Sequence, residues 1–239
     1  MDAEANHILA ALFAAGTRSQ LQPHFRTVDL APGKVLAEPL ETIQHVYFPF
    51  SGIISFLVPL TNGFLVQTGL VGEDGAVGAI QALDGRVSPN KIVVQVPSRA
   101  AVIDADKFCS IAQSAPSVRS LILSHDQFFL AEVQQSAACN AIHALRQRMC
   151  RWLLRMHDLS GRHIVITQEI FADMLGVQRS SLSVAAASLQ KAGAIKYTRG
   201  HLDILNIELL MESSCECYGA VKRSYNRIVS PYVIPRQIL

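Results

Sequence analysis

Between Phe25 and Phe108 the apolar residues come in short runs separated by turn-formers. The runs VYFPF, GIISFLV, FLVQTGLV, KIVVQV and AAVIDA are rich in β-branched and aromatic side chains, which suit a pleated, half-buried strand. Asn62-Gly63 lies between two of these runs and suits the positive φ angles of a tight hairpin. Gly33, Gly52, Gly72, Gly75, Gly78 and Gly85 mark further turns. Many short strands at near-regular spacing predict an antiparallel β-roll (jelly roll) that encloses a pocket. Ahead of it, MDAEANHILAALFAAG reads as an amphipathic helix.

The pattern changes at Ser117. Up to His157 no proline intervenes, and Val118, Leu121, Ile122, Phe128, Phe129, Val133, Ala137, Asn140, Ala144 and Leu145 recur at helical spacing. One small roll cannot cover every apolar face of a helix that long. The exposed stripe therefore predicts a second copy of the same helix, and hence a homodimer. Further on, TQEIFADMLGVQRSSLSVAAASLQKAG (Thr167 to Gly193) reads as two short helices with a sharp turn. Thr167 is a good N-cap with Glu169 in the first turn, Phe171 and Leu175 point inward, and Ala172 is small where a second helix crosses. Gly176 ends the first helix, and Val177 and Leu182 set the crossing. That spacing is the one used by a DNA-binding helix-turn-helix. The tail AIKYTRGHLDIL adds a hairpin around Arg199-Gly200, which makes the unit a winged helix-turn-helix. The end of the chain, VKRSYNRIVSPYVIPRQIL, has two prolines and little periodicity, and a loosely held tail is expected. The fold class is α+β, with a roll over 1–116, a dimerisation helix over 117–158 and a winged helix-turn-helix over 159–239.

Charge sharpens this picture. The chain carries only +2 overall, but residues 1–139 hold 8 Lys+Arg against 12 Asp+Glu, and residues 140–239 hold 13 against 7. The C-terminal part, at +6, is suited to a polyanion, and double-stranded DNA is the expected partner. In the second short helix, Arg179 can make a bidentate contact to guanine. Ser180, Ser181 and Ser183 are short hydroxyls for phosphates or bases, and Lys196, Arg199 and His201 on the hairpin suit the backbone. Thr167, Gln168 and Gln178, at the two helix starts, complete the set facing DNA.

Half the residues are hydrophobic, so the chain is globular. The most apolar stretch, His45 to Leu60, is too short and too interrupted to span a bilayer. An acidic N-terminus differs from a secretory signal, and a cytoplasmic protein without membrane contact is expected. Cys109, Cys139, Cys150, Cys215 and Cys217 lack the pairing rhythm of a disulfide scaffold. Cys215-x-Cys217 has no partner in sequence that completes a tetrahedral metal set, so reduced thiols and no metal are expected. Cys139 and Cys150 fall near the dimer seam, where an oxidant sensor would compete with a plain structural role. A metal-dependent enzyme on the roll needs several histidines, and His45 stands alone between Phe25 and Phe108. No G-x-S-x-G or P-loop is present, so no catalytic residue is assigned and a non-enzyme is expected.

The order of roll, long helix and winged helix-turn-helix resembles the Crp/Fnr family of bacterial transcription regulators. The motifs that carry the resemblance are GEDGAVG (Gly72 to Gly78), ITQEIFADMLGVQRSSLSVAAASLQKAGAI and GHLDIL. It implies a homodimer on a near-palindromic site, working with RNA polymerase. It also implies an effector pocket at Gly72, Glu73, Asp74, Gly75, Asn90, Lys91, Val133 and Gln134. Glu73 matches the ribose-binding glutamate of cyclic-AMP-binding members. Asn90 and Lys91 stand where the phosphate-binding arginine and its serine belong, with Arg86 a second candidate. Val133-Gln134 replace the threonine–serine pair that touches adenine. These substitutions argue against cyclic AMP, and no cofactor is assigned. No cysteine precedes Cys109, which excludes the family's N-terminal iron–sulfur cluster. Gln178 and Ser180 replace a capping serine and an acidic residue, and Val184 replaces a second arginine, so a different half-site is expected. The alternative is a cyclic-nucleotide-binding interaction module that never touches DNA; it leaves the basic helix pair unused.

Overall fold

The computed structural model describes residues 5–83, 85 and 87–233. Asn6 opens the first helix, α1 (His7–Leu12), by accepting the Leu9 N–H on its side chain. The same buried side chain donates to the carbonyls of Pro49 and Gly75, which ties the N-terminal segment to the roll. A short helix α2 (Arg18–Leu21) follows.

The roll consists of two antiparallel sheets. One has the order β1 (Arg26–Leu30), β7 (Ser98–Asp104), β3 (His45–Pro49). The other runs β2 (Val35–Ala37), β6 (Lys91–Val96), β4 (Ile53–Pro59), β5 (Leu65–Val71). The five apolar runs of the sequence are β3 to β7. Their inward residues, Val46, Phe48, Ile54, Ile92, Val94 and Ile103 among them, form one core with Phe108 and α1. The short α3 (Ala79–Leu83) and α4 (Ala105–Ser114), the latter capped by Asp104, close its ends.

Asn62-Gly63 turns the chain differently from the expectation. β4 and β5 pair as a hairpin, but Pro59 faces Leu65 across a five-residue loop. Gly63 is left-handed (φ 87°), whereas Asn62 is not among the residues with positive φ and uses its side chain to accept the Phe64 N–H. That Asx bond offers the backbone an alternative to the two-residue turn.

The long helix is broken. α5 (Pro116–Ile142) ends where His143 and Ala144 turn extended (ψ 145° and 150°), and α6 (Leu145–Ser160) starts afresh. Ala144 has no side chain to cap α6; its own N–H donates instead to Gln147 Oε1 at 3.2 Å. No proline or glycine causes the break, which is why periodicity alone did not register it. The apolar stripes of α5 and α6 face different cores: α5 buries Val118, Leu121, Ile122 and Phe128 on the roll, while α6 buries Met149, Trp152, Leu153 and Met156 in the C-terminal core.

That second core also contains Phe171, Leu182, Ala186, Leu189, Ile195 and Leu202. It holds α7 (Gln168–Leu175) and α8 (Arg179–Lys191) against a sheet of order β8 (His163–Val165), β10 (His201–Ile204), β9 (Ile195–Thr198). After α9 (Ile207–Ser213) the chain does not become a loose tail. Residues Cys217–Ile228 form α10, which leaves this domain and packs along α5. Cys217, Val221 and Tyr225 recur every fourth residue on its inner face, and the Tyr225 ring meets Phe128 edge-on at 5.1 Å. Tyr225 also shares a 2.9 Å hydrogen bond with His7. Both prolines lie beyond α10, Pro235 outside the described residues.

Candidate nucleic-acid interface

Thr167 caps α7 by accepting the Ile170 N–H at 3.2 Å. Gly176 closes it in the left-handed region (φ 63°, ψ 40°), and the Val177 and Gly176 N–H groups turn back to the Ala172 and Asp173 carbonyls. This closure sends the chain sharply into α8 and needs a glycine for its dihedrals. Gln178 precedes α8 in extended conformation and makes no side-chain capping bond, so the first N–H groups of the helix carry no side-chain cap.

The N-terminal halves of the two helices are tied together, because the single Ser183 hydroxyl proton reaches Gln168 Oε1 at 2.7 Å, with the Arg179 carbonyl as its alternative acceptor. Ser183 is thereby committed to holding the pair rather than free to face a ligand. Ala185, Ala186 and Leu189 are buried behind, whereas Ala187 is exposed. The hairpin brings its tip to the same place. Its two-residue turn has positive φ at both Arg199 (47°) and Gly200 (83°), and Ile166 N–H donates to the Gly200 carbonyl beside Thr167. Tyr197 anchors the hairpin by donating its hydroxyl to the Ile166 carbonyl at 2.8 Å.

Around this junction Thr167, Gln178, Arg179, Ser180, Ser181, Lys196, Arg199 and His201 are all exposed. Neither Arg179, Lys196 nor Arg199 forms an ion pair among the described residues. Val184 stands out one turn along from Ser180, 73 % exposed, a large apolar side chain directed at solvent.

Residues 147–213 match the family model described as the Crp-like helix-turn-helix domain. No curated protein matches the chain. Among solved structures it resembles FixK2 from Bradyrhizobium japonicum, with TM-score 0.68 and 13 % identity over 80 % of this chain and 98 % of that one. It also resembles the c-di-GMP-responsive global regulator CLP from Xanthomonas campestris, with TM-score 0.66 and 15 % identity over 80 % and 99 %. A CRP-family transcriptional regulator from Thermus thermophilus follows, with TM-score 0.66 and 18 % identity over 78 % and 96 %. Residues 147–213 are thus a Crp-like helix-turn-helix domain, and the chain shares the fold of these transcription regulators.

The segment that marks the effector pocket by resemblance to Crp/Fnr regulators is divided in three. Asn90 and Val133 line a cavity of about 240 Å³ with Phe56, Asp126, Phe129 and His125. Among the described residues that cavity contains no Lys or Arg. His125 supplies no charge either: burial holds its ring neutral, pushing its pKa down to about 4, with the pull of Asp74 and the push of Arg155 secondary. Arg86 lies outside the described residues. Lys91 faces another way and pairs with Glu38 at 2.8 Å. Gln134 is exposed on α5. Gly72 and Gly75 sit where side chains are excluded: a Cβ on Gly75 would come within 2.5 Å of His125 Nε2, and one on Gly72 within 3.0 Å of Leu159.

Glu73 and Asp74 line a different cavity, about 270 Å³, between the roll, α5, α6 and α10. Its floor is a buried charge network of which the sequence singles out only Asp74. Arg155 of α6 contacts Asp74 at 2.8 Å and Glu132 of α5 at 3.0 Å, and donates to the Leu70 carbonyl at 3.3 Å. Burial alone would raise the Asp74 carboxyl, but the Arg155 guanidinium outweighs it and holds Asp74 below the usual range. For Arg155 burial favours the neutral form, and the two carboxylates reverse that, keeping it firmly charged. One arginine of the Crp-like domain thus fastens α6 to the roll and to α5. Arg148, close to the break, ties α6 to Asn140 of α5 at 3.0 Å and to the terminal carbonyl of α7, Leu175.

Of the cysteines, Cys150 is fully buried and its thiol is pushed up to about 12 by burial, which makes it a poor nucleophile. The Cys215-x-Cys217 pair is not alone as the sequence suggested: Cys139 and His143 lie beside it. Among the described residues no helix is long and apolar enough to cross a membrane.

Proposed function

We propose that the protein is a transcription regulator that binds a near-palindromic duplex as a homodimer, with the front of α8 in the major groove and the β9–β10 hairpin on the backbone. The observation that carries this reading is the trio of exposed, unpaired cations, Arg179, Lys196 and Arg199, gathered by the Ser183–Gln168 and Ile166–Gly200 bonds around one helix start. Arg179, exposed at the first position of α8, suits a bidentate guanine contact. Ser180 and Ser181 lie beside it, and the uncapped N–H groups of α8 suit a phosphate. Val184 suits a thymine methyl, since it is apolar and exposed on the reading helix. Lys196, Arg199 and His201 neutralise phosphates along the flank.

The dimer reading is supported by α5. Its roll-facing stripe is satisfied, but Leu123 and Leu130, seven residues apart, are 47 % and 53 % exposed. Ala137 and Ala141 continue that face. A second α5 laid against it buries all four. Control of binding then acts through the Arg155 network, since that is where the roll meets the reading domain. The roll cavity, lined by Asp126 and by no Lys or Arg among the described residues, argues for an effector other than a cyclic phosphate. The reading implies a cytoplasmic protein that acts with RNA polymerase and catalyses nothing.

Selection from random duplexes by the purified protein tests it. The expected product is a palindrome whose half-sites are centred about one helical turn apart. Arg179→Ala should cost about 1–3 kcal/mol and blur one base position, whereas Arg199→Ala should weaken all duplexes alike. Parent-like binding by both variants would place the groove contact elsewhere.

A further inference from the structure

The fold gathers four metal-ligating side chains that the regulator reading leaves without a role. Cys139 and His143 are four residues apart at the end of α5, on one face. Cys215 and Cys217 alternate across the link between α9 and α10. The four ligand atoms lie within 4.8 Å of one another. Cys139 Sγ is 3.5 Å from Cys215 Sγ, and Cys217 Sγ is 3.6 Å from His143 Nδ1. A tetrahedral zinc with bonds of ~2.3 Å to sulfur and ~2.05 Å to nitrogen sets sulfur–sulfur edges of ~3.8 Å and sulfur–nitrogen edges of ~3.6 Å. The observed edges fit one ion. A multi-iron cluster, which divides the four ligands among two or more irons, needs some of them further apart.

The surroundings fit as well. His143 Nε2 lies 3.3 Å from Glu216 Oε2, the carboxylate–imidazole arrangement that fixes a ligand ring with its other nitrogen inward. Gln135 Nε2 donates to Cys217 Sγ at 3.0 Å, a bond that a thiolate accepts better than a thiol. All three sulfurs are buried. The guanidiniums of Arg148 and Arg151 act electrostatically on Cys139, and buried Arg151 Nη1 has no hydrogen-bond partner.

We propose that Cys139, His143, Cys215 and Cys217 bind a single zinc ion in a closed, four-ligand structural site. Binding releases the three thiol protons to solvent and leaves three thiolates and a neutral imidazole around the ion, one net negative charge beside the two arginines. A disulfide between Cys139 and Cys215 would account for neither His143, Cys217 nor Glu216. With no position left for a substrate, the ion's role is to hold segments more than seventy residues apart. It pins the start of α10 to the last turn of α5, and His143 is itself the residue at which α5 breaks from α6. The ion therefore fastens the joint between the roll and the reading domain.

The test is elemental analysis of the full-length protein, expressed with zinc in the medium and purified reduced. One zinc per chain is expected, and it should persist in Cys150→Ser and Cys109→Ser, whose sulfurs lie outside the cluster. Cobalt exchanged into the wild-type protein should give thiolate charge-transfer bands and intense tetrahedral d–d bands, both lost in Cys217→Ser. Glu216→Gln, which leaves all four ligands, should weaken zinc roughly 10–100-fold in a chelator competition. Wild-type protein with well under one zinc per chain and no cobalt bands would overturn the proposal, as would a Cys139–Cys215 disulfide in place of metal. None of these readouts involves DNA, so a failed duplex selection and a failed metal site are separate results.

Discussion

Replacing Arg155 by Met keeps the length of the side chain and removes its charge, which isolates the electrostatic part of the joint. Glu132 is fully buried, and Asp74 nearly so. Without the guanidinium, two carboxylates are left in a pocket that burial alone makes hostile to them. Removing one partner of a buried pair costs about 3–5 kcal/mol, far more than the net worth of the pair. For a chain of this size about 2–4 °C accompanies each kcal/mol, so the transition that reports the joint should fall by roughly 6–20 °C. Thermal and urea unfolding at neutral pH measure it. The deficit should narrow as pH falls, because the stranded carboxyls can protonate in the variant while Asp74, held low by Arg155, resists in the parent. Neutralising the acids as well, in Asp74→Asn/Glu132→Gln/Arg155→Met, should recover most of the loss. A single variant within about 1 kcal/mol of the parent, the worth of an exposed ion pair, would show that the network is solvated and holds nothing.

Three more outcomes follow from the same geometry. His125 is neutral in the fold down to about pH 4, whereas its ordinary value is 6.5. Above 6.5 it contributes no pH dependence; between 6.5 and 4 only the unfolded chain takes up the proton, so stability falls with pH, by about 3 kcal/mol in total. His125→Gln should flatten that limb of the acid-unfolding curve, and an unchanged limb would mean the ring is solvated. Leu130→Asp should dissociate the proposed dimer, since each leucine withdrawn from a two-fold seam counts twice, ~3–6 kcal/mol at ~1.5–3 kcal/mol per leucine. Light scattering that still reports a parent-like dimer would move the seam off this face. Gly52→Ala puts a Cβ 2.2 Å from the Pro97 carbonyl oxygen at a φ of 77°, so it should unfold the roll or lower its stability by more than ~3 kcal/mol. A soluble variant with parent-like melting would contradict the packing of that corner.

Local pattern determined most of the elements of this protein. Alternating and β-branched runs gave the strands β3 to β7, because a half-buried strand writes its burial into a period of two. The helix-turn-helix and its hairpin were legible residue by residue, since Thr167, Gly176 and Gly200 answer to backbone rules that act within a few positions. The +6 charge of the C-terminal part marked the surface that would meet a polyanion. What the tertiary structure decided was everything that joins distant segments. The break at His143 has no breaker residue; it arises because the stripes of α5 and α6 face two different cores. The segment from Val221 passed for a tail because the surface that its Val221 and Tyr225 pack on, α5 with Phe128, lies about a hundred residues upstream. Glu132, Asp74 and Arg155 are ordinary charges in sequence and become a buried triad only when three elements converge. The same holds for Cys139 and His143, which need the fold to bring them to Cys215 and Cys217. Period and turn chemistry act over a few residues, whereas buried charge pairs and metal sites depend on the closure of long loops, which no local pattern records.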